Sequence, residues 1–328
     1  MKSFVFINYK GGVGKTTLAV NMAASLANRL KPNKEPNKIL FIDMDPNGSA
    51  SRYFLGASFY KTAILQMKRY KTLGSLLKDS IKGNISSIQP SDLLREDSES
   101  SGPIFGRYRA PEEDPFQFTS QLDPSKEFFW DNLHLLPSSP DLKEIVDTYP
   151  NQTQIPFGEK SIPSHTLLSN VLQNIQENYD YIVIDTPPGQ GLLTLNAISF
   201  SKNILIPVVP DMLSVSSLPD LLSNLKDTKH FLGDDDISVI SVIPSLYTNK
   251  YPLYASTIQS LKEELSLNLE RDKRSILKRP FYFADKGFQR SSHLIELQAK
   301  GRPILDLHKD EPIRKRIESI LDKVLELV

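Results

Sequence analysis

The 328-residue sequence has no cysteine, which excludes disulfides, thiolate metal sites and iron–sulphur clusters. No run of about 18 apolar residues occurs, the length a helix needs to cross a bilayer. No basic segment leads into a long apolar one, as a secretory leader requires. We therefore expect a cytoplasmic chain with neither signal peptide nor membrane span. Charge of one sign is lacking as well, since 39 lysines and arginines balance 39 aspartates and glutamates. Any affinity for nucleic acid then has to come from a local patch. Nothing in the composition is exotic: 39% hydrophobic residues over this length can bury a substantial core, as expected of one elaborated domain over residues 1–328.

The most informative segment lies near the start. The apolar run Phe4-Val5-Phe6-Ile7 leads into K-G-G-V-G-K-T-T at residues 10–17, and residues 18–30 then carry apolar side chains at helical spacing. A strand, a glycine-rich turn and a helix N-terminus in that order converge backbone N–H groups on one anion site. Gly11, Gly12 and Gly14 let the backbone close on a phosphate where a Cβ would stand in the way. Together with Val13, Lys15, Thr16 and Thr17 they form the expected nucleotide-binding stretch. Lys15 supplies a point charge to the β- and γ-phosphates, and the Thr16 hydroxyl is placed to ligate Mg²⁺.

A strict phosphate-loop pattern, G-x-x-x-x-G-K-[ST], needs glycine at position 9, where this chain has Tyr9, and a second lysine, Lys10, opens the loop. The segment resembles the deviant Walker A box, K-G-G-x-G-K-[ST], of the ParA/MinD class of P-loop ATPases. That resemblance implies ATP and Mg²⁺ as cofactors. It also implies that Lys10 reaches across a homodimer to the partner's nucleotide, acting in catalysis with Lys15.

Two further motifs extend the likeness. The run I-L-F-I-D-M-D-P-N-G-S-A-S at 39–51 puts two acids at the carboxyl end of an apolar strand, where ligands bind in open α/β sheets. It resembles the ParA motif D-x-D-P-x-G-x-A, which implies that Asp43 helps hold Mg²⁺ through water and that Asp45 orients the attacking water. Taken alone, Asp45-Pro46-Asn47-Gly48 also reads as a turn. The run Y-D-Y-I-V-I-D-T-P-P-G at 179–189 is an apolar strand ending in an acid, the Walker B position. Asp185 is therefore expected to bind Mg²⁺ through water, and the segment T-P-P-G after it to form a stiff loop that senses loss of the γ-phosphate. By itself such an acid is often a strand-to-loop cap. Weaker echoes of ParA lie at T-L-G-S-L-L (72–77), L-H-L-L-P-S-S-P-D-L (133–142), I-P-V-V (206–209) and K-G-R-P-I (300–304).

Short apolar runs alternating with helical patterns predict an α/β fold, a mostly parallel doubly wound sheet flanked by helices. We read strands at 4–8, 39–43, 132–137, 181–185, 203–209 and 237–244, and helices at 15–30, 164–178, 192–201, 214–229, 254–267, 293–300 and 311–327. The segment at about 85–128 is rich in Ser, Pro, Asp and Glu and reads as a polar insertion, either a partner-contact loop or a tolerated surface loop. Residues from about 250 to 328 read as a C-terminal helical part.

The ParA resemblance implies an ATPase that dimerises on ATP and binds nucleoid DNA without sequence preference. A ParB-like or adaptor protein would stimulate hydrolysis to segregate or position a plasmid, chromosome or other cargo. Residues 250–302 hold eleven bases and six acids, and counterion release from such a patch drives sequence-independent binding. Lys250 falls where ParA relatives place a DNA-touching arginine, and Arg290 lies in their Ile-Pro-Arg stretch. His293 stands where arginine is common. Lys273, Arg274, Lys278 and Arg279 form a denser cluster outside the aligned positions, and any of these can equally be a solvated charge. A MinD-like membrane-associated ATPase is the alternative. Its discriminator is the stripe Ile313, Ile317, Ile320, Leu321, Val324, Leu325 and Val328 on a C-terminal helix whose polar face mixes acids with bases, a pattern that usually packs on its own core.

Overall fold

A computed structural model describes residues 1–57, 60–66, 71–84, 88, 93, 132–248, 252–272, 275–299, 301–307 and 309–328. Strands β1 (Lys2–Phe6), β2 (Ile39–Asp43) and β3 (Leu133–Leu136) alternate with helices α1 (Lys15–Ala27), α2 (Ser49–Leu55) and α3 (Leu73–Ile81). After α4 (Asp141–Thr148), strands β4 (Gln154–Phe157) and β5 (Lys160–Pro163) form a small antiparallel hairpin. The rhythm resumes through α5 (Leu167–Leu172), β6 (Tyr181–Asp185), α6 (Leu192–Ser201), β7 (Asn203–Val208), α7 (Met212–Leu232), β8 (Ser238–Tyr247) and α8 (Pro252–Arg271). It ends with β9 (Leu277–Phe283), β10 (Phe288–Gln289), α9 (Ser292–Ala299) and α10 (Pro312–Leu325).

The main sheet runs β10-β8-β7-β1-β6-β2-β3, with β9 also paired to β8, and its described ladders are parallel. This is the predicted mostly parallel, helix-flanked architecture. Strands buried on both faces explain why 4–7 and 39–42 read as continuous apolar runs instead of alternating ones. Alternate residues still divide between two cores. Phe4, Phe6, Phe41, Val183 and Leu205 pack with α1, α2 and α10, whereas Val5, Ile7, Ile42, Ile184 and Ile206 pack with helices on the opposite face.

Several elements differ from the sequence reading. The C-terminal part contains strands β9 and β10 as well as helices. The expected helix at 164–178 is a 3₁₀ turn, the short α5 and a second 3₁₀ turn. Helices α2, α3 and α4 stand where no helix was read. Most of the predicted insertion at about 85–128 lies outside the described residues, but Ile88 and Leu93 are buried in the second core.

The stripe on α10 faces inward: Ile313, Ile317, Ile320, Leu321 and Val324 are buried in the first core, with Leu325 and Val328 packed against it. Among the described residues no helix is long and apolar enough to cross a membrane.

Candidate functional site

The register of the central strands sets the site. Phe6 pairs with Asp185, and Asp185 pairs with Asp43 on the far side of β6. The ends of β1, β6 and β2 therefore lie side by side at one level, and the loops that follow them open onto one end of the sheet. All three sequence motifs meet there.

The phosphate loop wraps from Asn8 to α1 through left-handed backbone at Gly12 (φ 71°) and Gly14 (φ 85°), conformations that cost an L-residue free energy. No side chain caps α1 and no acid occupies its first turn. Its leading N–H groups and the positive end of the helix dipole are thus left to an anion. Ser245 braces the loop from β8 by donating its hydroxyl to the Val13 carbonyl at 2.6 Å. The buried Lys15 Nζ donates to the carbonyls of Asn8 (2.9 Å) and Lys10 (3.1 Å). Burial lowers the pKa of Lys15, while the charges of Asp185 and Asp45 oppose that fall. Lys10 is half-buried, and its own N–H donates to Asn8 Oδ1 at 3.0 Å.

The carboxylates are unusually dry. Asp43 is fully buried; its Oδ2 accepts from the N–H and Oγ of Ser51 at 2.7 Å each, and its Oδ1 from the Asp45 N–H at 3.1 Å. Burial pushes its pKa up to about 7 against the pull of the Ser51 donors, and the charge of Asp45 adds to the rise. Asp185 is also fully buried, and burial followed by the charge of Asp43 raises its pKa well above the carboxylate range. Its Oδ2 accepts from Thr16 Oγ1 at 2.6 Å, whereas Oδ1 has no partner among the described residues. Asp45 lies in the next loop, its Oδ1 accepting from the Asn47 N–H at 2.9 Å.

These residues fit a magnesium ion. A hydroxyl and a carboxylate face each other, an orphaned buried carboxylate oxygen stands beside them, and every donor is a hard oxygen. Among the described residues no three His, Cys, Asp or Glu side chains are grouped to hold a metal ion unaided. That suits Mg²⁺, which binds through one or two protein ligands and completes its shell with water and phosphate oxygens.

The loop after Asp185 is tied down at both ends. Thr186 Oγ1 donates to the Phe6 carbonyl at 2.6 Å, and Thr194 Oγ1 to the Gly189 carbonyl at 3.1 Å. Tyr9, at the position of the missing glycine, hydrogen-bonds the side chain of Gln190. No sequence signal marks Asn8 or Tyr60 for the site, and Ser51 and Ser138 lie within the stretches 39–51 and 133–142 without a role of their own being implied there.

The candidate DNA residues that are described, Arg290, Lys278 and Arg279, are not gathered into one patch. Lys250, Lys273 and Arg274 lie outside the described residues. Arg290 is exposed, and its N–H donates to the Tyr247 carbonyl at 2.8 Å, at the phosphate-loop end of β8. Lys278 and Arg279 stand at the start of β9, which pairs with the start of β8. Eight strand residues, roughly 26 Å, separate the two ends. Lys278 Nζ donates to the Leu327 carbonyl at 2.5 Å, and the Arg279 guanidinium to that of Leu269.

Comparison with known proteins gives a consistent picture. A family model described as an AAA domain matches residues 1–97 and 119–239. The chain is 25% identical over 312 residues to the sporulation initiation inhibitor protein Soj of Bacillus subtilis, covering 93% of this chain and 90% of that one. It is 30% identical over 228 residues to the chromosome partitioning protein ParA of Myxococcus xanthus, covering 70% and 59%. Among solved structures, a putative plasmid partition protein of Borrelia burgdorferi bound to AMPPNP superposes with a TM-score of 0.60 at 22% identity, covering 100% and 99%. An ATP complex of a Cyanothece McdA variant does so with a TM-score of 0.62 at 19% identity, covering 100% and 97%.

Proposed function

The chain belongs to the ParA/MinD-type family of P-loop partition ATPases, and we propose that it is an ATP hydrolase that dimerises on ATP, binds nucleoid DNA without sequence preference and positions a cargo. The observation that carries this reading is the convergence of the phosphate loop, the Asp43–Asp45 pair and Asp185 at one level of three adjacent strand ends.

In this reading the N–H groups of residues 11–17 cradle the phosphates, and Lys15 exchanges its two loop carbonyls for phosphate oxygens. Thr16, Asp43 and Asp185 would hold Mg²⁺, directly or through water, and the ion would neutralise charge on the β- and γ-phosphates. Asp45 orients the attacking water. Phosphoryl transfer asks mainly for this positioning and charge stabilisation. Lys10 reaches the partner's triphosphate, so the nucleotide is itself part of the dimer contact. Pairing two subunits doubles each basic patch, and the doubled patch holds DNA through counterion release. Arg290, Lys278, Arg279, Lys250, Lys273 and Arg274 are the candidates, and a ParB-like or adaptor partner would trigger hydrolysis and release.

The test is DNA retention in a gel shift with ATP, ADP or no nucleotide, alongside Lys10→Ala and Lys15→Ala. We expect retention with ATP alone and loss in both variants. Retention indifferent to nucleotide overturns the switch.

A further inference from the structure

Ser138 follows β3 in the loop beside the site, is fully buried, and uses all three of its polar groups on that site. Its hydroxyl donates to the Asp45 carbonyl at 2.5 Å. Its N–H donates to Ser51 Oγ at 2.9 Å, and that same Oγ donates to Asp43 Oδ2 at 2.7 Å. Its carbonyl accepts from Tyr60 Oη at 3.1 Å. The Tyr60 ring is held in turn by the Arg52 guanidinium 5.4 Å from its centroid. The Tyr60 hydroxyl also fills the space over Gly48, where a Cβ would lie 2.4 Å from it.

We propose that Ser138 is a positioning residue for hydrolysis, clamping the backbone of Asp45 from the β3 side so that the Asp45 carboxylate aims at the attacking water. The inference rests on the assignment of Asp45 above. Asp43 fixes the N–H of Asp45, and the Gly48 N–H reaches its carbonyl at 2.8 Å within the turn. Both restraints come from the same short segment, 43–48, whose own tie to β6, the Met44 N–H on the Asp185 carbonyl at 2.9 Å, lies ahead of Asp45, so the turn beyond Met44 depends on contacts from outside the segment. The Ser138 hydroxyl alone among these contacts anchors the Asp45 carbonyl to a different strand end. Losing it frees the turn to drift, and a misplacement of about 1 Å near a reacting centre costs up to roughly a hundredfold in rate.

The test compares kcat, KM and ATP affinity for Ser138→Ala, Ser138→Thr, Asp45→Ala and the Ser138→Ala/Asp45→Ala double variant, with a fluorescent ATP analogue reporting binding. Ser138→Ala leaves the Asp45 carbonyl satisfied by Gly48, so the protein folds and binds the analogue normally. We expect its kcat to fall about ten- to a hundredfold with KM little changed, and Ser138→Thr, which keeps the hydroxyl, to restore most of the loss. In the double variant kcat should equal that of Asp45→Ala alone. If Asp45→Ala is slow but Ser138→Ala turns over like the parent, or if the two losses multiply, the clamp is refuted. If Asp45→Ala itself hydrolyses at the parental rate, the assignment of Asp45 fails instead.

Discussion

Gly287 and Gly11 illustrate at single residues how scaffold and site constrain the same amino acid differently. A Cβ on Gly287 would lie 2.0 Å from the Pro244 carbonyl oxygen of β8, and backbone of a central strand cannot step aside as a flexible side chain can. Gly287→Ala should therefore destabilise the fold by about 3 kcal/mol. Because the next residue of β8, Ser245, braces the phosphate loop, the substitution should weaken nucleotide binding as well. A Cβ on Gly11 would meet nothing within 4 Å, so Gly11→Ala should leave thermal unfolding unchanged and still weaken binding by placing a methyl in the phosphate cradle. Thermal melts beside titration with a fluorescent ATP analogue separate the two; a melting shift in Gly11→Ala would contradict the open-space argument. Asp45 differs again, since the role proposed for it is in the chemistry. Asp45→Ala should bind ATP like the parent and lose about a hundredfold or more in turnover, and undiminished hydrolysis would remove it from the mechanism.

Helix α10 shows how far an element can be read from sequence. Its apolar stripe pointed to core packing, and five of its members are buried in the first core. What the pattern could not reveal is that Arg314, apparently part of a solvated basic face, is buried and donates to the carbonyls of Leu305 and Leu307 at 2.8 Å each. Its long apolar stem lets a charged head reach backbone that the preceding turn leaves unpaired. Arg314→Ala should cost about 3 kcal/mol, since it strips donors from two buried carbonyls, and Ile317→Ala about 2–4 kcal/mol. Lys315, mostly exposed on the same helix, should tolerate alanine within about 0.5 kcal/mol; denaturant melts of the three decide it. The same logic sorts the other elements. The central strands and α1 were legible because burial on both faces and the glycine loop leave strong local signatures. Helices α2, α3 and α4, of 7 to 9 residues, are too short to announce themselves through periodicity and are held by tertiary packing. Strand β9, L-K-R-P-F-Y-F, carries charges and a proline that mask its strand character, and β10 is two residues long. At the site, Lys15, Thr16, Asp43, Asp45 and Asp185 were legible because each belongs to a contiguous motif. Ser138 was not, because its role comes from pairing between strand ends far apart in the chain.

For the whole molecule the decisive question is how the buried acidic cluster would respond if two subunits met. Asp43 and Asp185 are both fully buried; beyond burial, the charges of Asp43 and Asp45 add to the upward pKa shift of Asp185, and that of Asp45 to the shift of Asp43, so the site is short of positive charge on its own. Lys15 is already inside it, and its burial works against its charge. Triphosphate adds still more negative charge, which a magnesium ion offsets in part. Lys10 stands at the mouth of the loop, and its ammonium has no partner among the described residues. A second subunit bringing its own Lys10 to this site would supply the missing cation, so dimerisation should require bound triphosphate and should persist for as long as hydrolysis is blocked. We therefore expect Asp45→Ala with ATP and Mg²⁺ to run as a dimer in light scattering, and as a monomer with ADP. The Lys10→Ala/Asp45→Ala pair should stay monomeric under both conditions, because its nucleotide binds without the trans cation. A dimer that forms equally well without Lys10 would show that the interface is held by apolar contact, and the charge argument would fall with it.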